Sequence, residues 1–342
     1  MIIITIGLLH TRLNPDKVSR AYIYSALARL EGADLYYFTS RDVNFNSNTI
    51  NAKTYQAGTW IEKERPFPDV IMNVSGPNTP KQRKIYNRLE KKVPFTSIKV
   101  GNKLAVYNRL QSAGDFSRHI IPYQPARRLS DVTAFLQQYR KIILKPNSDS
   151  HGNQVYYIEK AKDNYFFIYR NCKRRFKEKK AKAFLASLIG HRQMILQKYI
   201  NSRRRSGEPY DFRLHVQKDG AGIWQITTVF PRVAPRNRII TNLSQGAALS
   251  LFERFLEIEF PNHYRQLKFK IEAFALLLAR HMDNIYGCEF DELGIDIGLD
   301  ENRHIWLYEV NWRPGHVFIE VKAARNAVAY AIYLGKKKRE EQ

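Results

Sequence analysis

The chain has 342 residues, with 56 Lys+Arg against 32 Asp+Glu and a formal charge of +24. At about 150 residues per domain this length gives two or three compact modules, and a composition of 44% hydrophobic and 13% aromatic residues excludes a disordered polycation. The two cysteines, Cys172 and Cys288, exclude a disulfide framework and lack metal-ligand spacing; they read as buried thiols in a reducing compartment.

The longest apolar runs, Met1–Leu9 and Ala273–Ala279, fall short of the ~20 residues of a membrane-spanning helix. Met1–Leu9 also has no basic region before it and reads as a buried strand, so the expectation is a cytoplasmic chain without membrane insertion. Basic residues cluster at Lys173–Lys182, Arg203–Arg205 and Lys336–Arg339. Each run alone reads as a solvated face; together they predict salt-sensitive attraction to polyanions, nucleic acid among them.

In chain order, Ile2–Leu9 is predicted as a strand, Pro15–Glu31 as an amphipathic helix, and Leu35–Thr39 and Asp69–Val74 as further strands. Thr79–Lys91 follows as a polar helix. The alternation indicates a small open α/β domain, and without Gly-x-Gly-x-x-Gly after the first strand it gives no support to a dinucleotide site. Beyond Gly101, Ser130 caps a predicted helix to Tyr139, and Ile142–Lys145 is a short buried strand. Val155–Glu159 and Tyr165–Arg170 form a hairpin turning at Lys162-Asp163-Asn164. A helix at Lys179–Gly190 precedes the strand Met194–Ile200, and a second hairpin pairs Tyr210–Gln217 with Trp224–Arg232. Pro261–Tyr286 places Leu267, Ile271, Phe274, Leu278 and Met282 on one helical stripe. Leu293–Leu299 and Ile305–Asn311 make a third hairpin, and a helix from Val317 to Leu334 ends the series.

Glu309 and Asn311, two apart on a strand, share a face. An even-numbered loop around Glu301-Asn302 would bring Asp296 of the neighbouring strand to that face. Three oxygen donors among Ile295, Ile297, Ile305 and Leu307 suit Mg²⁺ bridging phosphates, because two buried carboxylates without a cation are costly. Lys145, leaving a buried strand before Asn147-Ser-Asp-Ser-His-Gly152, suits a flap over phosphates. Arg213 and Arg232, on adjacent apolar strands, need anions; Asp211 is a candidate structural partner for Arg213. No zinc-hydrolase or serine-triad pattern is present.

Taken in order, Lys145-Pro, Gln197-Lys-Tyr-Ile200, Asp211-Phe-Arg213, Arg232, Thr241-Asn-Leu-Ser-Gln-Gly246, Gly294-Ile-Asp296 and Glu309-Val-Asn311 with Pro314-Gly315 resemble the ATP-grasp superfamily. More narrowly they resemble the YheC/YheD-type endospore-coat-associated proteins, with the glutamate-adding ligases of a ribosomal protein more distant. The resemblance covers about Gly101 to Tyr333. It implies an α/β (α+β) ATP-grasp fold with a Rossmann-like pre-ATP-grasp domain at 1–98 and an ATP-grasp domain at 99–335. That domain would divide into a phosphate-loop subdomain at 140–200 and a metal-binding subdomain at 201–335, leaving a basic tail at 336–342.

By the same resemblance, Lys103 and Lys145 contact ATP phosphates, and Ser150 and Gly152 belong to the mobile loop. Gln197, Lys198, Tyr199 and Ile200 form the hinge strand at the adenine. Arg213 and Arg232 face the γ-phosphate and an acyl phosphate, Asn242 sits near the phosphates, and Asp296, Glu309 and Asn311 hold Mg²⁺, usually two ions. Lys198 stands where the family often has an acidic residue, and His151 and Asn153 where glycines are common.

The implied activity is an ATP-dependent ligase joining a carboxylate to an amine or thiol, with Arg313 as a clamp for the substrate carboxylate. An acidic peptide or protein substrate suits the basic surface. The competing expectations are an ATP-binding spore-coat structural protein without turnover, and a nucleic-acid-binding protein. The second leaves Asp296, Glu309 and Asn311 unexplained.

Overall fold

The computed structural model describes residues 3–148, 154–170, 172–190, 193–239, 241 and 246–341. Three sheets follow one another along the chain. The first contains β1 (Thr5–Leu9), β2 (Asp34–Phe38), β3 (Val43–Asn44), β4 (Thr49–Gln56), β5 (Thr59–Pro66) and β6 (Val70–Met72). Its order is β3-β4-β2-β1-β6 with β5 on β4, and β1 runs parallel to both β2 and β6. The α1 helix (Ser19–Leu30) supplies the crossover from β1 to β2, and its buried Ala21, Tyr24 and Ala28 face the sheet core. The α2 helix (Pro80–Glu90) starts from a capping box in which Thr79 and Gln82 satisfy each other's backbone N–H groups.

From α3 (Lys103–Ala113) the chain enters the second sheet, built of β7 (Tyr123–Ala126), β8 (Lys141–Pro146), β9 (Tyr156–Ala161), β10 (Asn164–Tyr169), β11 (Cys172–Lys177) and β12 (Met194–Lys198). All its pairs are antiparallel, in the order β11-β10-β9-β8-β12-β7. Two helices, α4 (Leu129–Tyr139) and α5 (Glu178–Ile189), cover one face through Ile142, Leu144, Ile158, Phe167 and Leu196. The alternate residues Ile143, Lys145 and Gln197 consequently face the other way, into a cavity.

The third sheet holds β13 (Tyr210–Lys218), β14 (Trp224–Val233), β15 (Ala248–Leu249), β16 (Glu292–Leu299) and β17 (Ile305–Asn311) in the order β15-β14-β13-β16-β17. Between β15 and β16 come α6 (Phe252–Glu259) and α7 (Tyr264–Tyr286). The α7 stripe Leu267, Ile271, Phe274, Leu278 and Met282 joins Phe212, Leu214, Ile295, Ile297 and Leu307 in the largest core.

The last helix, α8 (Glu320–Glu340), returns to the first sheet, where Ala324, Val328 and Ala331 complete the core of β1, β2 and β6. Arg339 clamps Asp69 there with two hydrogen bonds of 2.6 and 2.7 Å. The stretch from 336 expected as a basic tail is therefore helical to Glu340, with Lys337 paired to Glu289 at 3.0 Å. Three further expectations are corrected. Asp131, not Ser130, ties off the start of α4 by accepting the N–H groups of Arg127 and Arg128. The β4–β5 hairpin, β11, α3 and α6 are elements the periodicity did not mark. Both cysteines are free thiols, but Cys172 is exposed on β11 rather than buried, and Cys288 is half-buried.

Candidate active site

The second and third sheets face each other across a cavity of about 520 Å³. Its walls include Lys103, Lys145, Gln197, Lys198, Tyr199, Ile200, Arg213, Arg232, Asp296, Glu309 and Asn311. Every expected site residue that falls within the described part of the chain is thus on one surface. Ser150, Gly152 and Asn242 lie outside the described residues.

The third sheet arranges its polar residues in two cross-strand rows. One row reads Phe230, Arg213, Asp296, Glu309, and the next Thr228, His215, Gly294, Asn311. The loop between β16 and β17 spans residues 300–304, an odd number, so a regular register would set Asp296 opposite Tyr308 and turn Glu309 into the core. A bulge with Tyr308 as the extra residue restores the pairing of Asp296 with Glu309. It lets Ile305, Leu307 and Val310 stay buried while Glu309 and Asn311 face the cavity. Gly298 makes room for the bulge, since a Cβ there would overlap the Tyr308 ring. The bulge carbonyl of Tyr308 accepts from the Tyr107 hydroxyl and from Lys145 Nζ at 3.4 Å.

Six cations (Lys103, Lys145, Lys198, Arg213, Arg232 and Arg313) and three carboxylates (Asp211, Asp296 and Glu309) line the cavity, an excess of three positive charges among the described residues. The arginine pairing differs from the sequence expectation. Asp211 binds Arg232 through two hydrogen bonds of 2.7 and 2.6 Å, while Arg213 forks onto Asp296. The two pairs are bridged by Arg232 and Asp296 at 3.1 Å. Burial works against the Asp296 charge, but the two guanidiniums more than offset it and hold its carboxyl below the usual range. Arg232 is driven up by Asp211 and Asp296 against its own burial.

Lys103 reaches Glu309 at 3.0 Å. Lys145 is 8% exposed, and burial, with Lys103 nearby, lowers it to about 8 although Glu309 pulls the other way. Arg313 stacks 3.9 Å over Trp312; its buried Nε has no partner, and burial lowers it to about 10.

At the end of β12, the N–H groups of Lys198 and of Tyr199 just beyond it are committed to the carbonyls of Pro122 and Lys141 at 2.9 and 3.0 Å. The buried Gln197 Nε2 has no partner, and the Lys198 ammonium turns toward the Trp306 ring. Asp296, Glu309 and Asn311 together offer three oxygen donors on one face, the hard set that suits Mg²⁺, so the residues present fit that ion.

A second polar cluster escaped sequence reasoning. Glu292, four residues before Asp296 and on the same face of β16, accepts from His316 Nε2 at 2.8 Å and lies 3.2 Å from His215 Nε2. The three ligand atoms lie within 4.8 Å of one another. Arg20 of α1 sits 3.0 Å from His316 Nδ1, and a guanidinium can only donate. That contact fixes the His316 proton on Nε2, where it is given to Glu292 rather than leaving a lone pair for a metal. Burial opposes the Glu292 charge, yet His316 and His215 bring its carboxyl down to about 2. No spacing signal could have found this cluster, because its members meet only through pairing of β13 with β16, the fold-back of the segment between β17 and α8 that carries His316, and the approach of α1.

The YheC/D-like ATP-grasp family model matches residues 92–334. The chain belongs to this family. It is 25% identical to the endospore coat-associated protein YheD of Bacillus subtilis (strain 168), over 93% of this chain and 75% of YheD. Two solved structures share its fold. D-alanyl-alanine synthetase A from Vibrio cholerae is 13% identical, with a TM-score of 0.58 over 99% of this chain and all of that one. The ATP-grasp ligase PsnB, complexed with a phosphomimetic variant of its minimal precursor, Mg and ADP, is 12% identical, with a TM-score of 0.56 over 96% and 98%. The ATP-grasp expectation holds for this chain, and no described helix is long and apolar enough to cross a membrane.

Proposed function

We propose that this chain is an ATP-dependent carboxylate–amine ligase acting through an acyl phosphate. The observation that carries the reading is the rung Arg213–Asp296–Glu309, flanked by Asn311, Arg232, Lys103 and Lys145 within one cavity. Phosphoryl transfer asks little covalent chemistry of a protein; it asks for positioning and for neutralisation of oxygen charge. A positive excess beside a hard-donor set supplies both.

In this reading the Ile200 N–H meets the adenine edge, since its neighbours' donors are already engaged, and Lys103 and Lys145 take phosphate oxygens. Asp296, Glu309 and Asn311 would hold Mg²⁺, two ions being the family's usual number, which supplies charge neutralisation on the phosphates. Arg213 and Arg232 would shift part of their hydrogen bonding from carboxylate to phosphoryl oxygen. A substrate carboxylate oxygen attacks the γ-phosphorus, forming one O–P bond as the bond to the ADP oxygen breaks. An amine then attacks the acyl carbon; the C–N bond forms, phosphate leaves, and the amine gives up a proton. Arg313 would hold the carboxylate substrate through its unpartnered edge. A RiPP-associated ATP-grasp ligase of Chryseobacterium gregarium with a similar fold is solved with a leader and core peptide, which supports a peptide or protein as that substrate, and the net charge of +24 supports an acidic one. Coat association belongs to the relatives' names and is proposed here only as a location.

The test is calorimetry of ATP with and without Mg²⁺ on the wild type and Glu309→Ala, followed by ADP release across a panel of carboxylates and amines. Magnesium-dependent binding that is lost in the variant is the expected result. Binding indifferent to both the ion and the substitution would remove Glu309 from the metal site. ATP binding without ADP release across the panel would favour a coat protein that has kept the fold without turnover.

A further inference from the structure

The basic run at 173–182 is not absorbed by the nucleotide site. It forms β11, the outermost strand of the second sheet, which pairs only with β10 among the described residues. From Arg170 to Lys182 there are eight basic residues and one acid, Glu178, which is itself engaged by Lys182 at 2.7 Å. Alternation splits β11 into two faces. Phe176 packs toward Phe184 of α5, whereas Lys173, Arg175 and Lys177 lie on the opposite face, the one that lines the cavity further in. A single cross-strand row leads from the edge to the nucleotide wall: Lys173, Ile168, Tyr157, Ile143, Gln197. Ile143 and Gln197 are cavity residues, and Tyr157 meets the ring of Tyr199, another one, edge-on.

We propose that this face, from the free edge of β11 inward to the cavity mouth, is the docking surface for an acidic polypeptide. Charge complementarity selects an acidic partner. The backbone edge, unpaired among the described residues, selects a polypeptide, because an extended segment can add to it as a strand and place alternate carboxylates over Lys173, Arg175 and Lys177. A single-stranded nucleic acid would need open aromatic faces for its bases. Phe166 is the one exposed large aromatic of this face among the described residues, and the Arg175 guanidinium already stands 5.9 Å from its ring centre. Binding alone is proposed, so the inference stands or falls separately from ligase turnover.

The test is fluorescence anisotropy of the full chain with a labelled oligoglutamate, comparing the wild type, Lys173→Glu/Arg175→Glu on β11, and Lys336→Glu/Lys338→Glu on α8 as a control of equal charge. Urea unfolding of each variant reports an intact fold. The β11 variant should lose about tenfold in affinity and the control less than about twofold. Amide exchange at Cys172–Lys177 should slow when the peptide binds. Equal losses in both variants would overturn the proposal in favour of diffuse charge, and unprotected β11 amides would overturn strand addition. A DNA oligonucleotide of equal charge that binds more tightly, and loses as much on the β11 substitution, would overturn it in favour of nucleic acid.

Discussion

Lys145 offers a quantitative test of how the cavity is tuned. Its ammonium is buried, and its value near 8 lies well below the 10.5 of an exposed lysine. Between those two values the unfolded chain holds a proton that the folded chain releases, so stability rises with pH through that window and the cost of the buried charge is fully present below about pH 8. The gap of about 2.5 pH units corresponds to about 3 kcal/mol at pH 7, falling to about 1.4 kcal/mol at pH 9.5. Lys145→Met keeps most of the volume and removes the charge, at the loss of hydrogen bonds to Tyr107 Oη and the Tyr308 carbonyl; at 3.3 and 3.4 Å both are long, so each is taken at the low end, about 0.5 kcal/mol, and about 1 kcal/mol together.

The variant should therefore be more stable than the wild type by about 2 kcal/mol at pH 7. That advantage should nearly vanish by pH 9.5, while ATP affinity falls. Urea unfolding at the two pH values, with calorimetry of ATP, reads all of this. A variant less stable than wild type at pH 7 would refute the reasoning, because it would mean that Glu309 and the two oxygens more than compensate the burial. Such a trade-off is expected where a charge is held ready for an anionic ligand.

Two further predictions concern the third sheet. Gly298→Ala drives a methyl group into the Tyr308 ring and should cost about 1–3 kcal/mol. It should also weaken magnesium-dependent ATP binding through the displaced bulge; unfolding and binding curves indistinguishable from wild type would show that the bulge does not depend on Gly298. Glu292→Gln removes a carboxylate whose value is depressed to about 2, so its stabilisation is present above about pH 4.5 and lost as pH falls through about 2. The variant should lose stability at neutral pH, and the gap should narrow on acidification below pH 4.5; a gap independent of pH would assign the loss to packing instead.

Much of this architecture was legible because apolar spacing is a local property. The α7 stripe, the hairpins ending at Lys162-Asp163 and Asp219-Gly220, and Glu309 with Asn311 on one face all follow from period and turn chemistry. The β11 strand was not legible, since Lys-Arg-Arg-Phe-Lys buries only Phe176 in part and reads as solvated charge. The β4–β5 hairpin hid for the same reason: only Ile50 and Ala52 of its sixteen residues are buried. Asp296 came to the right face through a route the spacing did not contain, an odd loop corrected by a bulge. The exchange of partners between Arg213 and Arg232 depends on registers joining strands some eighty residues apart, which no local pattern encodes.

The return of α8 to the first sheet has a consequence for synthesis. Ile4, Leu8, Leu35, Val70 and Met72 share a core with Ala324, Val328 and Ala331, and the close seat of the helix leaves no space for a Cβ at Gly335 against Ile4. Roughly 250 residues must be translated after Met72 before that face is covered, about 10–50 s on a working ribosome. During that interval α1 covers only part of this face, and the parallel strands keep an apolar surface open where α8 will lie. The nascent chain should therefore bind holdase chaperones until α8 emerges, and Arg339 closing on Asp69 would mark the moment of release.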